Sequence, residues 1–224
     1  MPITSILWRK ARSGFIRARR ILVSQRFGVP PTRIYNERFY LDSVNRLELP
    51  SASAVIDAIC DLFSPSSIFD VGCGNGLYLH EAARRGIYAA GCDGSEVGVR
   101  LCPPDILVFL HDLRRPLIVS RPFDCCISFE VAEHIPKKYS EVLVDSCAGL
   151  SDLVLFSSAH PGQTDGEDHI NLQPERFWDR LFAKKGLIRD ESLTQSLRTR
   201  WGSNNVIQWL VENTRVYRRA AGSR

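Results

Sequence analysis

The segment Ser67-Ile-Phe-Asp-Val-Gly-Cys-Gly-Asn-Gly76 carries an apolar, β-prone run into an aspartate, Asp70, and then into a turn with glycines at 72, 74 and 76. Glycines at that spacing let a backbone turn sharply and approach a ligand with no Cβ in the way, and a helix opening at Leu77 would aim its free N-terminal amides at that ligand. The chemistry is that of holding a nucleotide-like molecule. Two versions of it do not fit. A G-x-G-x-x-G dinucleotide turn needs its third glycine where Leu77 stands, and the Lys-Ser/Thr pair of a phosphate-binding loop is absent. A second constellation, Glu130-Val-Ala-Glu133-His134-Ile-Pro136, directly follows another apolar run, Phe123–Ser128, and His169 lies in a polar stretch further on. On a helical turn, positions 130, 133 and 134 share one face. Two carboxylates and two imidazoles make a hard to borderline ligand set suited to Mg2+, Mn2+ or Zn2+. Such a cation would lower the pKa of a coordinated hydroxyl and chelate a vicinal diol or catechol. Without a cation, the same residues read as a general base, His134, beside helix-capping acids, or as a structural histidine.

Elements must bring these two groups together. From about residue 50, short β-rich runs alternate with helical stretches, a pattern that predicts a parallel sheet covered by helices on both faces. Strands are expected at Ser67–Val71, Tyr88–Cys92, Ile106–Leu110, Phe123–Ser128, Leu153–Ser157, Leu187–Ser192 and Thr214–Arg218. Helices are expected at Ala52–Leu62, Leu77–Arg85, Lys138–Leu150, Glu175–Lys184 and Asn204–Glu212, with a truncated one between Gly94 and Pro104. The least regular stretch, Ala159–Leu172, leaves the carboxyl end of the fifth strand, where functional loops lie in this architecture. Around its end, His169, Asn171 and Gln173 alternate as an extended segment lining an acceptor pocket would. Phe177, Trp178, Leu181 and Phe182 read as the core face of the next helix. His160 and Asp168 flank the loop and could join either site, His80 reads as a helix-surface residue, and His111 as a neighbour of the nucleotide pocket.

Length and composition limit what else the chain can be. With 224 residues, 44% hydrophobic and 24% charged, it is expected to be one soluble globular domain with a short appendage, and two enzyme domains do not fit. No apolar run approaches the roughly 18 residues of a membrane-spanning helix. The net charge of +4 is uneven: residues 1–36 hold eight basic residues and no acid, and the remainder holds 21 basic against 25 acidic. Within residues 3–23, Leu7, Ala11, Phe15, Ala18 and Leu22 recur at helical spacing among arginines, and Gly28–Pro31 reads as a turn. This basic amphipathic helix reads as packed against the main domain, laid on a membrane surface, or touching nucleic acid. In a eukaryotic source it would also suit an organelle transit peptide, and it lacks the apolar stretch of a secretory signal. The division expected is 1–49, a basic N-terminal extension or lid, and 50–224, the catalytic domain. Seven cysteines, an odd number without C-x-x-C spacing, read as reduced core thiols and so as a cytoplasmic protein.

Over roughly residues 50–218 the motifs, in this order, resemble those of the class I S-adenosylmethionine-dependent methyltransferases. The resemblance implies a Rossmann-like, mostly parallel seven-stranded sheet. It also implies that Asp70, Gly72, Gly74 and Gly76 hold the amino-acid end of the cofactor, with Cys73, Leu113 and Phe129 completing the pocket. Asp93, which ends Gly91-Cys-Asp93 and follows Asp70 by 23 residues, would bind the ribose hydroxyls. Both hydroxyls are donors that one carboxylate can accept. Asp112 would lie near the adenine, although each of these aspartates also suits a helix cap or turn. Glu130, Glu133, His134 and His169 resemble the metal ligands of ubiquinone-biosynthesis O-methyltransferases and of small-RNA 3′-terminal 2′-O-methyltransferases. Many metal-free small-molecule methyltransferases carry a similar stretch. The segment 168–187 also resembles uncharacterised bacterial methyltransferases associated with glycans and natural products. The expectation is an S-adenosylmethionine-dependent O-methyltransferase, with or without a divalent cation, acting through His134 and Glu130 on a small hydroxylated acceptor: a sugar or glycan, a phenol, a natural-product intermediate or a lipid-linked substrate. The alternatives are an RNA 2′-O-methyltransferase, a metal-independent N-methyltransferase with His134 as base, and a non-catalytic cofactor-binding protein. A nucleic-acid partner is not expected, because residues 50–224 leave no room for extra RNA-binding modules.

Overall fold

Apolar runs rich in β-branched, aromatic and cysteine residues form seven strands in the computed structural model, which describes residues 35–120, 122–163 and 169–220. The basic helix expected at 3–23, the turn at Gly28–Pro31 and Asp168 lie outside the described residues. The chain runs through α1 (Asn45–Phe63), β1 (Ser67–Val71), α2 (Leu77–Arg84), β2 (Tyr88–Asp93), α3 (Glu96–Leu101), β3 (Leu107–Leu110) and β4 (Cys125–Ser128). It continues with α4 (Ser140–Leu150), β5 (Leu153–Phe156), α5 (Glu175–Lys184), β6 (Leu187–Arg189), α6 (Glu191–Ser203), α7 (Gln208–Asn213) and β7 (Arg215–Arg219). The sheet order is β3-β2-β1-β4-β5-β7-β6, parallel except for β7, which pairs antiparallel with both β5 and β6.

Strand side chains alternate between faces. Ile68 and Ile127 pack against α1, α2, α6 and α7, whereas Phe69, Val71 and Phe156 pack against α4 and α5. Trp178, Leu181 and Phe182 form the buried face of α5, as their spacing predicts, and six of the seven cysteines are buried. Sequential strands step outward from β1 to β2 and β3 on one side, and through β4 to β5 on the other. The crevice at the carboxyl ends of β1 and β4 is therefore the switch point at which ligands bind in open α/β sheets.

Three elements differ from the sequence-based expectation. Helix α1 begins at Asn45 rather than Ala52 and runs through Pro50, preceded by one π-helical turn, Phe39–Val44. Pro50 reads as a boundary in sequence, but burial of the Val55, Ile56 and Ile59 face holds the longer helix on the domain. The sixth strand stops at Arg189 instead of Ser192, because Asp190 accepts the Leu193 N–H at 3.0 Å and caps α6, a helix the sequence reading missed. Leu193, Leu197 and Trp201 supply its core face at four-residue spacing. Helix α7 starts at Gln208, four residues later than expected. Among the described residues, no helix is long and apolar enough to cross a membrane.

Candidate active site

The nucleotide half of the crevice is built on β1 and β2. Asp70 is 3% exposed, and among the described residues no hydrogen bond or ion pair reaches its carboxylate. Burial first, then the charges of Asp93 and Glu48, push its pKa well above the ordinary carboxylate range. Beyond it, the Gly72 and Cys73 N–H groups both donate to the Cys92 carbonyl, at 2.8 and 3.0 Å, which folds the turn back over β2. Gly72 has φ +88°, and a Cβ there would lie 2.4 Å from Val131 Cγ2, so the turn requires glycine. Asp93 accepts the Gly74 N–H at 2.7 Å and the Ser95 N–H at 2.6 Å. It thus clamps the glycine turn to the end of β2 while keeping lone pairs for a ligand. Asp112 stands at the end of β3 in a bidentate pair with Arg114, at 2.7 and 2.9 Å, which holds its carboxyl below the usual range. Cys73, in the turn, and Leu113 are buried, Phe129 packs on Tyr78, and the His111 ring bonds to the Arg115 carbonyl at 3.1 Å.

Two residues ahead of Pro50 enter this half unannounced by the sequence. Tyr40, 3% exposed, lies against Gly74, where a Cβ would come within 3.2 Å of its ring. Its hydroxyl bonds to the Ser95 side chain, and burial followed by the Asp93 charge keeps the phenol neutral. Edge-to-face contacts continue from Tyr40 to Phe39 (5.2 Å), from Phe39 to Tyr35 (5.2 Å) and from Tyr35 to His134 (5.9 Å), so one aromatic row spans both halves of the crevice. Glu48, on α1, accepts the Tyr78 hydroxyl at 2.9 Å, and burial pushes its pKa up to about 7. The signal that could have found both is the apolar period of α1 continued backwards through Pro50.

The acceptor half is built on the end of β4. Glu130 adopts φ +51°, a left-handed conformation that is costly for a residue with a Cβ, and its N–H donates to Ser157 Oγ at 3.0 Å. Its carboxylate accepts from Asn213 Nδ2 at 3.3 Å, and burial raises its pKa. Glu133, on the short turn Ala132–His134, is fully buried; one oxygen accepts the Ala159 N–H at 3.1 Å and the other has no partner. Burial, then the Glu130 charge, raises the Glu133 pKa well above normal. The Ile170 and Asn171 N–H groups donate to the Glu133 carbonyl, both at 2.9 Å, and so deliver His169 beside His134 with ring centroids 5.1 Å apart. The result is a three-residue group, Glu133, His134 and His169, whose potential ligand atoms all lie within 4.8 Å of one another.

Three expectations are corrected here. Glu130 stands outside the three-residue ligand group, because its left-handed backbone turns it to Asn213 and Glu133. Asn171 does not line a pocket: at 1% exposure its amide donates to the Ala132 carbonyl and to Ser140 Oγ, pinning the loop. His160 is exposed and accepts the Gly162 N–H, apart from the cluster. His80 is exposed on α2, as its position predicts.

Residues 69–150 match the family model of the methyltransferase domain. The chain is 32% identical over 110 residues to the ubiquinone biosynthesis O-methyltransferase of Maricaulis maris, a match covering 42% of each protein. It spans less than half the length of the curated relatives it matches. Among solved structures, the fold resembles the sugar N-methyltransferase KedS8 of Streptoalloteichus, with TM-score 0.63 and 17% identity over 86% of this chain and 98% of that one. It also resembles the magnesium protoporphyrin IX methyltransferase of Synechocystis bound to SAH (S-adenosylhomocysteine), with TM-score 0.58 and 16% identity over 84% and 97%. With the glycine turn of β1 and Asp93 of β2 set at the switch point of a seven-stranded sheet, the chain has the fold of the solved S-adenosylmethionine-dependent methyltransferases, and its residues 69–150 are similar to the methyltransferase domain.

Proposed function

We propose that the chain transfers the methyl group of S-adenosylmethionine to a hydroxyl of a small acceptor held beside Glu133, His134 and His169. The observation that carries this reading is the juxtaposition of two open requirements in one crevice: the carboxylate of the buried Asp70, which has no hydrogen-bond or ion-pair partner among the described residues, and the buried, unpartnered oxygen of Glu133. Asp70 suits a cofactor that brings positive charge and N–H donors, and the positive-φ glycine turn gives that cofactor room to approach. The acceptor oxygen attacks the sulfonium methyl in line, a C–O bond forms as the C–S bond breaks, and the hydroxyl proton must leave. His134, partly exposed and beside His169, would take that proton. Glu133, His134 and His169 fit a divalent cation by donor type and by the orphaned Glu133 oxygen, and a cation bound there would lower the pKa of the acceptor hydroxyl. The similarity to the O-methyltransferase of ubiquinone biosynthesis supports an oxygen acceptor.

The test is calorimetric titration of SAH into chelator-treated protein, repeated with Mg2+, Mn2+ and Zn2+, with metal analysis of untreated protein. Stoichiometric SAH binding is expected, together with one metal per chain that is lost in Glu133→Ala. No SAH binding overturns the cofactor assignment. SAH binding with no metal under any condition removes the cation and leaves His134 as a bare base. Full methyl transfer by His134→Ala rejects both forms of acceptor activation.

A further inference from the structure

The acids of the crevice are not all accounted for by the family pattern. Glu48 comes from α1, outside the motifs, yet its Oε2 is 2.9 Å from the hydroxyl of Tyr78, the second residue of the helix that follows the glycine turn. The link is supported by a second bond between the same elements, Asn75 Nδ2 to Asn45 Oδ1 at 2.9 Å. The charge of Glu48 acts on Asp70, and that of Glu130 acts on Glu48. The Tyr78 ring in turn meets Phe129, the residue after β4, edge to face at 5.5 Å, so the Glu48 carboxyl lies beside the end of β4 and the helix that follows the glycine turn. Among the described residues neither Glu48 nor Asp70 has a lysine or arginine partner. Asp70, 3% exposed, has no hydrogen-bond or ion-pair partner among the described residues, so a cation entering the crevice would meet two acids whose ionised forms it would stabilise.

We infer that Glu48 recognises the positive charge of the sulfonium, so that the site prefers the methylated cofactor to the product SAH. The inference rests on the reading of this crevice as the S-adenosylmethionine pocket. Between the strand end that takes the amino-acid part of the cofactor and the strand end that faces the acceptor lies the sulfur. S-Adenosylmethionine is positively charged at that sulfur, SAH is not, and both carry the same ammonium. A carboxylate placed there separates the two by charge alone, holding the substrate and favouring release of the product.

The experiment compares binding of SAH with that of sinefungin, which bears an ammonium in place of the methylated sulfonium, in the wild type, Glu48→Gln and Tyr78→Phe, each checked for its thermal transition. The wild type is expected to bind sinefungin at least about tenfold more tightly than SAH. Glu48→Gln keeps an acceptor for the Tyr78 hydroxyl and removes the charge. It should bring the two affinities within about twofold by weakening sinefungin while moving SAH little. Tyr78→Phe leaves the carboxylate and should preserve the discrimination. A wild-type ratio below twofold overturns the inference without any variant, as does a ratio unchanged in Glu48→Gln or an equal loss of both ligands in it. Absence of binding of either ligand to the wild type instead overturns the pocket assignment itself.

Discussion

Replacing Glu133 by glutamine separates the stability of the acceptor half from its chemistry. The side chain is fully buried, one oxygen accepts the Ala159 N–H at 3.1 Å, the other has no partner, and the neighbouring carboxyl is that of Glu130. Glutamine keeps an oxygen for Ala159 and presents an NH2 group that can donate to Glu130. It costs no hydrogen bond and relieves a like-charge contact. The sign follows from linkage. Burial and Glu130 raise the folded-state pKa of Glu133, so its contribution to stability is fully present below the unfolded value, about 4.3, and is lost as pH rises through the folded value. Each unit of such a shift is worth about 1.4 kcal/mol. Metal-free Glu133→Gln should therefore gain at least about 1 kcal/mol at pH 8, or roughly 2–4 °C in thermal midpoint for a chain of this size, and almost nothing at pH 4. Scanning calorimetry of chelator-treated wild type and variant across pH 4–8 measures the difference, while methyl transfer by the variant should fall at least about a hundredfold. A variant destabilised at pH 8 by the same amount would show that Glu133 is held ionised by compensating partners, and would remove it as an open ligand.

Asp93→Ala should weaken SAH binding at least about tenfold. It should also cost about 1–3 kcal/mol of stability, because the N–H groups of Gly74 and Ser95, at 2.7 and 2.6 Å, lose a charged acceptor while the burial cost of that charge is relieved. Unchanged affinity by calorimetry takes Asp93 out of the ribose role. Gly72→Ala puts a Cβ 2.4 Å from Val131 Cγ2 at φ +88°, and about 2–4 kcal/mol should be lost in urea unfolding; a loss under 0.5 kcal/mol would mean that the turn relaxes freely. Trp201→Ala, at a site 0% exposed whose Nε1–H donates to the Val55 carbonyl at 3.3 Å, should lose about 3–5 kcal/mol and leave SAH affinity intact in the folded fraction.

Local patterns carried much of this. The strand positions of β1, β2 and β5 follow from short apolar runs bounded by turn residues, and the α5 face follows from the spacing of Trp178, Leu181 and Phe182, because period and chain geometry are local properties. Helix α6 was lost because Leu193, Leu197 and Trp201 are separated by polar residues, and Asp190, its cap, also suits a strand end. The start of α1 was lost because a proline inside a helix is tolerated only when tertiary burial outweighs the missing bond, and that burial is not written in neighbouring residues.

The sequence by itself determined the glycine turn, the acids ending β1 and β2 and the Glu-x-x-Glu-His stretch after β4, because each depends on residue type at fixed local spacing. Only the tertiary structure decided which of those groups meet. His169 reaches His134 because two backbone N–H groups, 37 and 38 residues along the chain, dock on the Glu133 carbonyl. Glu130 is drawn aside by Asn213, 83 positions away. Glu48 and Tyr40 enter the crevice because α1 and the π-helical turn before it pack across the carboxyl ends of the strands. Hydrogen bonds and burial of this kind join residues far apart in the chain, and their partners are chosen by the packing of whole elements rather than by any neighbourhood a sequence window can hold.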